Sequence, residues 1–174
     1  MPPTDILALL QGTDRRTIGR ADEVAAIVSG NPRLFPELIT GLWSPDRLVR
    51  MRSADAAEKV TRHHPELLAE HKKELLGLVS EAQEPELRWH LAAMIPRLQL
   101  DTRERKLAVS GLNRYLEDRS SIVKTFALQG LADLARYDPN IQPGVIEILR
   151  TSMKIGTPAM KARSRKLLLE LDHA

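Results

Sequence analysis

Cysteine is absent from the 174-residue chain, which removes disulfides, cysteine-ligated zinc, iron–sulfur clusters and thiol chemistry together. Aromatic residues are nearly as scarce. Two Trp, two Tyr and two Phe make up 3% of the chain, little with which to line a substrate pocket or fill a β-rich core. The nine glycines stand singly, so no glycine-rich loop is available to cradle phosphate. Neither Gly-x-Ser-x-Gly nor His-Glu-x-x-His occurs, which takes away the commonest signatures of hydrolases and zinc proteases. No uninterrupted apolar run approaches the ~20 residues of a membrane-spanning helix. The opening Met1-Pro2-Pro3-Thr4-Asp5 lacks a basic segment followed by an apolar core, so no secretory signal is expected and a cytoplasmic location is.

What remains is an ordinary soluble balance, 43% apolar and 28% charged, in a length that suits one domain over 1–174. The net charge of +3 permits an anionic partner without requiring one. Helical periodicity dominates. Ile122, Val123, Phe126, Ala127, Gly130, Leu131 and Leu134 share one face of a 3.6-residue helix, and Val49, Ser53, Ala56, Ala57 and Val60 share another. No stretch alternates with period two, and no Asn-Gly or Asp-Gly hairpin turn is present. The fold class is therefore all-α. Breakers such as Gly30-Asn31-Pro32, Ser44-Pro45, His64-Pro65, Glu84-Pro85, Asp138-Pro139-Asn140 and Gly156-Thr157-Pro158 cut the chain into short helices. These are expected over 4–11, 15–29, 33–43, 46–63, 66–82, 86–98, 102–117, 120–137, 141–154 and 158–172. Pro96 should bend or end its helix.

Ten helices joined by short turns invite a search for repeats. An apolar residue followed by a basic one recurs in alternate helices as Val49-Arg50, Leu87-Arg88, Val123-Lys124 and Met160-Lys161, at intervals of 38, 36 and 37 residues. A polar turn precedes each pair, and a helix with an apolar stripe precedes each turn. The pattern resembles the HEAT repeat, and Ser44-Pro45-Asp46-Arg47-Leu48-Val49-Arg50 is its best copy. The resemblance implies a right-handed α-solenoid of about five helix pairs, over roughly 4–30, 32–63, 66–98, 102–137 and 141–172. It also implies that the second helix of each pair lines a concave face and that the basic position supports packing between units. A lone pair cannot bury its apolar faces, whereas stacked pairs can.

The second helices with their turns (14–29, 45–63, 84–98, 119–137, 157–173) hold 17 Lys and Arg against 11 Asp and Glu. If they line a groove, that groove is electropositive. Aligning the repeats nominates Arg52, Lys59, Arg62, Trp89, His90, Arg97, Arg136, Arg163 and Lys166 as binding residues, with His173 completing one matched set. The expected function is a non-catalytic scaffold that docks a protein or acidic peptide, with Trp89 as a candidate anchor. Nucleic acid is the second candidate ligand. Within it, DNA-alkylation-repair glycosylases resemble this chain in architecture and would need a groove carboxylate, Asp55 or Asp133, beside aromatics that are scarce here. Bilin-chromophore lyases also use such repeats, but nothing matches a chromophore site. His63, His64 and His71 near Glu70 and Glu74 lack the spacing of a metal site and are expected in a solvated turn. Neither catalytic residues, cofactor nor metal is expected. Leu167-Leu168-Leu169 and Leu171 should pack on the preceding unit or leave an edge open to dimerisation.

Overall fold

The computed structural model describes residues 5–172; Thr4, where the first helix is expected to begin, and His173 lie outside the described residues. The chain is all-helical, with no strand among the described residues. Ten α-helices follow one another: α1 Ile6–Leu10, α2 Ala21–Gly30, α3 Phe35–Thr40, α4 Arg47–Thr61, α5 Lys72–Glu81, α6 Pro85–Met94, α7 Thr102–Tyr115, α8 Ser121–Ala135, α9 Gln142–Ile155 and α10 Pro158–Asp172. No helix among the described residues is long and apolar enough to cross a membrane.

Local chemistry sets the boundaries. The Asp46 side chain accepts the Leu48 amide at 2.8 Å and opens α4, satisfying a donor that the first helical turn leaves unpaired. Asp101 and Glu104 exchange side-chain and main-chain bonds, both 2.8 Å, in a capping box at α7. Proline stands at the start of α6 and α10, where its missing N–H costs nothing. Pro96 acts as expected: α6 ends at Met94 and tightens into a 3-10 turn over Ile95–Arg97.

Three helices are shorter than the sequence suggests, one of them α3, which fills 33–43 only together with 3-10 turns over Pro32–Leu34 and Gly41–Trp43. The helix expected from residue 15 begins at Ala21. Gly19 is left-handed at φ 55°, and the carbonyls of Leu10, Gln11, Asp14 and Thr17 are drawn to a side chain of α4 instead of to a helical turn. The helix expected over 66–82 is a 3-10 segment, Pro65–His71, followed by α5.

The helices form two compact units that divide between Lys73 and Glu74, close to the start of α5. In the first unit α1, α2 and α3 pack on α4, enclosing Ile6, Leu10, Val24, Val28, Leu38 and Val60. In the second, α6, α7, α9 and α10 pack on α8, and α9 packs on α10. Leu91, Leu112, Val123, Leu128, Leu149 and Leu167 form its core. The terminal leucines divide: Leu167 and Leu171 are buried and Leu169 is exposed.

Within each unit the long-range side-chain hydrogen bonds keep a characteristic reach. In the first they run from α4 back to residues 10–22, as Arg52 to Leu10 and Lys59 to Asp22. In the second, Tyr115 donates to the Val79 carbonyl at 2.9 Å across 36 positions, Arg163 to Gln129 across 34, and Arg88 to Asp118 across 30. Arg50 and Arg88, the basic residues of two successive pairs, each donate to the main-chain carbonyl six positions back, Ser44 at 2.6 Å and Ala82 at 2.8 Å.

Candidate functional site

The nine nominated residues separate into an interior set and a surface set. Arg52 lies in the interior, which corrects its nomination as a groove residue. It is 3% exposed, and its guanidinium donates to the carbonyls of Leu10 and Gln11 (both 2.9 Å), Asp14 (2.9 Å) and Thr17 (3.4 Å). A Cβ at Gly12 or Gly19 would come within 2.7 Å of that guanidinium, so both glycines make room for it. Arg52 therefore ties down the segment before α2 rather than facing a ligand. His90 is likewise interior, 2% exposed, with Nδ1 2.5 Å from the Glu86 carbonyl, and not the groove or surface histidine its sequence position suggested.

Near the C-terminal end of α4, Lys59 and Arg62 are tied to carboxylates. Lys59 Nζ lies 2.5 Å from Asp22 and 2.7 Å from Asp55. Burial pushes Lys59 down, but the two carboxylates outweigh it and hold the ammonium above its usual range. Arg62 grips Glu58 with two bonds, 2.9 and 2.5 Å. Arg97 is half-buried in the 3-10 turn after α6.

The remaining nominees meet on α6, α8 and α10 of the second unit. Trp89 from α6 and Phe126 from α8 are both half-buried, and their rings are tilted with centroids 5.0 Å apart. Trp89 also stacks over His90 at 3.4 Å. Beside this aromatic pair runs a polar ribbon. Arg163 donates to Gln129 at 2.6 Å, and Gln129 donates to Asp133 at 2.9 Å. Arg136 pairs with Glu170 and lies 3.7 Å from Asp133. Lys166 stands 3.8 Å from Glu170. Burial raises the Asp133 carboxyl above the usual range despite the Gln129 bond and the nearby Arg136.

The arrangement is suited to binding. Long side chains held by cross-helix partners stay in fixed places, and the aromatic pair offers apolar area at small entropic cost. The three histidines that are close in sequence find separate neighbours: His64 Nδ1 is 3.3 Å from Glu66, and the His71 ring tilts against Phe35 at 5.9 Å. Among the described residues no three His, Asp or Glu converge as metal ligands do. Sequence reasoning missed the role of Gln129. A mid-helix glutamine between Phe126 and Asp133 is a weak signal until α10 supplies Arg163.

The geometry defines an all-α protein with an aromatic and polar face on three helices of its second unit. The chain matches no family model, no curated protein and no solved structure.

Proposed function

We propose that the chain is a non-catalytic scaffold of about five right-handed HEAT-like helix pairs that binds a protein or peptide segment on the face of α6, α8 and α10. The observation that carries the reading is the half-buried Trp89–Phe126 pair beside fixed polar groups. Aromatic anchors with a polar rim are the usual energetic centre of protein interfaces. The repeat organisation is supported by hydrogen bonds that reach back about one repeat length and by the matching Arg50 and Arg88 bonds, 38 positions apart in sequence. A solenoid brings each unit against its neighbours in this manner. Cations tied to Gln129, Glu170 and Asp133 suit neutral and mildly acidic segments better than a phosphate chain, which is held through Lys and Arg left free to release its counterions.

A phage-displayed random-peptide selection on the immobilised chain tests the reading, with the Trp89→Ala/Phe126→Ala variant for comparison. The expected outcome is a family of clones carrying an apolar anchor, bound by the wild type and lost by the double variant while its thermal unfolding is retained. Selected clones that bind both proteins equally would overturn it.

A further inference from the structure

A separate cleft lies between α9 and the corner where α7 meets α8, with a volume of about 590 Å³. That is the size of a small-molecule site, roughly 300–1,000 Å³. One wall is a stripe of α9: Gly144, Ile148, Ser152 and Ile155, spaced to fall on one helix face. Leu116 and Met160 form the apolar remainder. Ile155 is 81% exposed at the rim, an unusual position for a large aliphatic side chain beside an apolar cleft.

Lys124 supplies the charge. It stands at the repeat position where Arg50 and Arg88 donate to a carbonyl six residues back. Lys124 makes no such bond to the carbonyl of Asp118 six positions back, and the Asp118 carboxylate pairs with Arg88 at 2.5 Å. Lys124 acts on Asp118 only through space. Its side chain makes no hydrogen bond or ion pair among the described residues, and it lines the cleft. Glu147, the other charged residue on the wall, is exposed and screened by water, so it marks the mouth.

Gly144 keeps that mouth open. It lies in the first turn of α9 with no left-handed backbone, and a Cβ there would meet nothing within 4 Å. A longer side chain at this position therefore has room to grow over the mouth.

We propose that this cleft binds a small amphipathic carboxylate, its apolar body against Leu116, Ile148, Ile155 and Met160 and its anionic end at the Lys124 ammonium. Apolar area supplies the affinity and one ion pair the orientation. The site is independent of the aromatic face on α6, α8 and α10.

Calorimetric titration with decanoate, and with decan-1-ol as the uncharged control, both below their aggregation limits, tests the assignment. Wild type should bind decanoate saturably and more tightly than decanol. Lys124→Met, which keeps an apolar stem, should weaken decanoate tenfold or more and leave decanol unchanged. Glu147→Gln should tighten decanoate a few-fold. Gly144→Leu should abolish binding of both while the unfolding temperature stays level or rises. The proposal is overturned by absence of saturable decanoate binding, by equal affinity for the two probes, by indifference of decanoate to Lys124→Met, or by full binding to Gly144→Leu.

Discussion

α4 and α8 are both fifteen residues long, and each is the helix on which the rest of its unit packs. They bury different chemistry. α4 encloses Arg52, Asp55 and Glu58 beside its apolar residues, so the first unit adds to its apolar core a cation that serves four main-chain carbonyls. α8 encloses Val123, Ala127, Leu128, Leu131, Leu134 and Gly130, and the second unit is held by apolar contact. One central helix thus organises irregular chain, the other regular helices. A non-helical segment leaves carbonyls without amide partners, and a guanidinium with five donors can satisfy several of them at once. Helices that already satisfy their own carbonyls need only a shape to fit against. The α8 face that is not consumed in packing is left with Phe126, Gln129 and Asp133 to present.

The largest effect is expected at Arg52. Arg52→Met should cost about 3–5 kcal/mol, since removing one partner of a buried polar network strands the others. The loss should appear as a large drop in the unfolding temperature and as proteolysis between residues 11 and 20. Lysine at 52 should not rescue it, because one ammonium cannot reach four carbonyls. In the second unit the vulnerable position is Gly130, where a Cβ would stand 2.7 Å from the Ala92 carbonyl. Gly130→Ala should destabilise by about 1–3 kcal/mol through overpacking of α8 on α6, against the gain that alanine normally brings to a helix. Thermal melts of the two variants place these costs side by side.

A smaller effect of opposite sign is expected at Ser164. Its hydroxyl is fully buried and without a hydrogen-bond partner. Ser164→Ala should raise stability, by up to about 1 kcal/mol, because an unsatisfied buried hydroxyl carries a desolvation cost.

The smallest effect is an acid limb. Burial pushes the Asp118 carboxyl up, but the Ser120 amide and the Arg88 guanidinium overcome it and hold the group below the usual carboxylate range. Its contribution is therefore complete above pH ~4 and is lost as pH falls through the depressed value. Asp133, raised by burial, works the other way: its charged form is a cost to the fold that is relieved as pH falls through the raised value. Asp118→Asn should flatten the loss of stability between neutral pH and pH 3, by about 1 kcal/mol, since the Arg88 end of the pair still reaches solvent.

Much of this organisation is legible in the sequence. The proline and glycine breakers mark nearly every helix end, and the spacing of Val49-Arg50 and Leu87-Arg88 anticipates two arginines with the same main-chain bond. Periodicity could not reveal that residues 15–20 are not helical, because the segment is held by Arg52, which is remote in sequence and takes the carbonyls of Leu10, Gln11, Asp14 and Thr17. The same blindness made Arg52 look like a surface cation: a charged residue on an amphipathic helix reads as solvated until the carbonyls that bury it are known. His90 misled for a related reason, since its partner is the main chain of its own helix. The α9 cleft left a trace that was missed. Ile148 and Ile155 lie off the Val145–Leu149–Ser152 stripe that faces the core, giving that helix a second apolar edge.

Arg163, Arg136 and Lys166 all have partners within the chain, so the proposed reading rests binding on the aromatic pair. Fluorescence anisotropy with labelled double-stranded DNA, single-stranded DNA and RNA tests it most directly, at about 50 and 200 mM salt. The account predicts weak binding at low salt that Arg136→Gln and Lys166→Gln barely change. Tight binding that falls about a thousandfold between the two salt concentrations, and that those substitutions abolish, would contradict it.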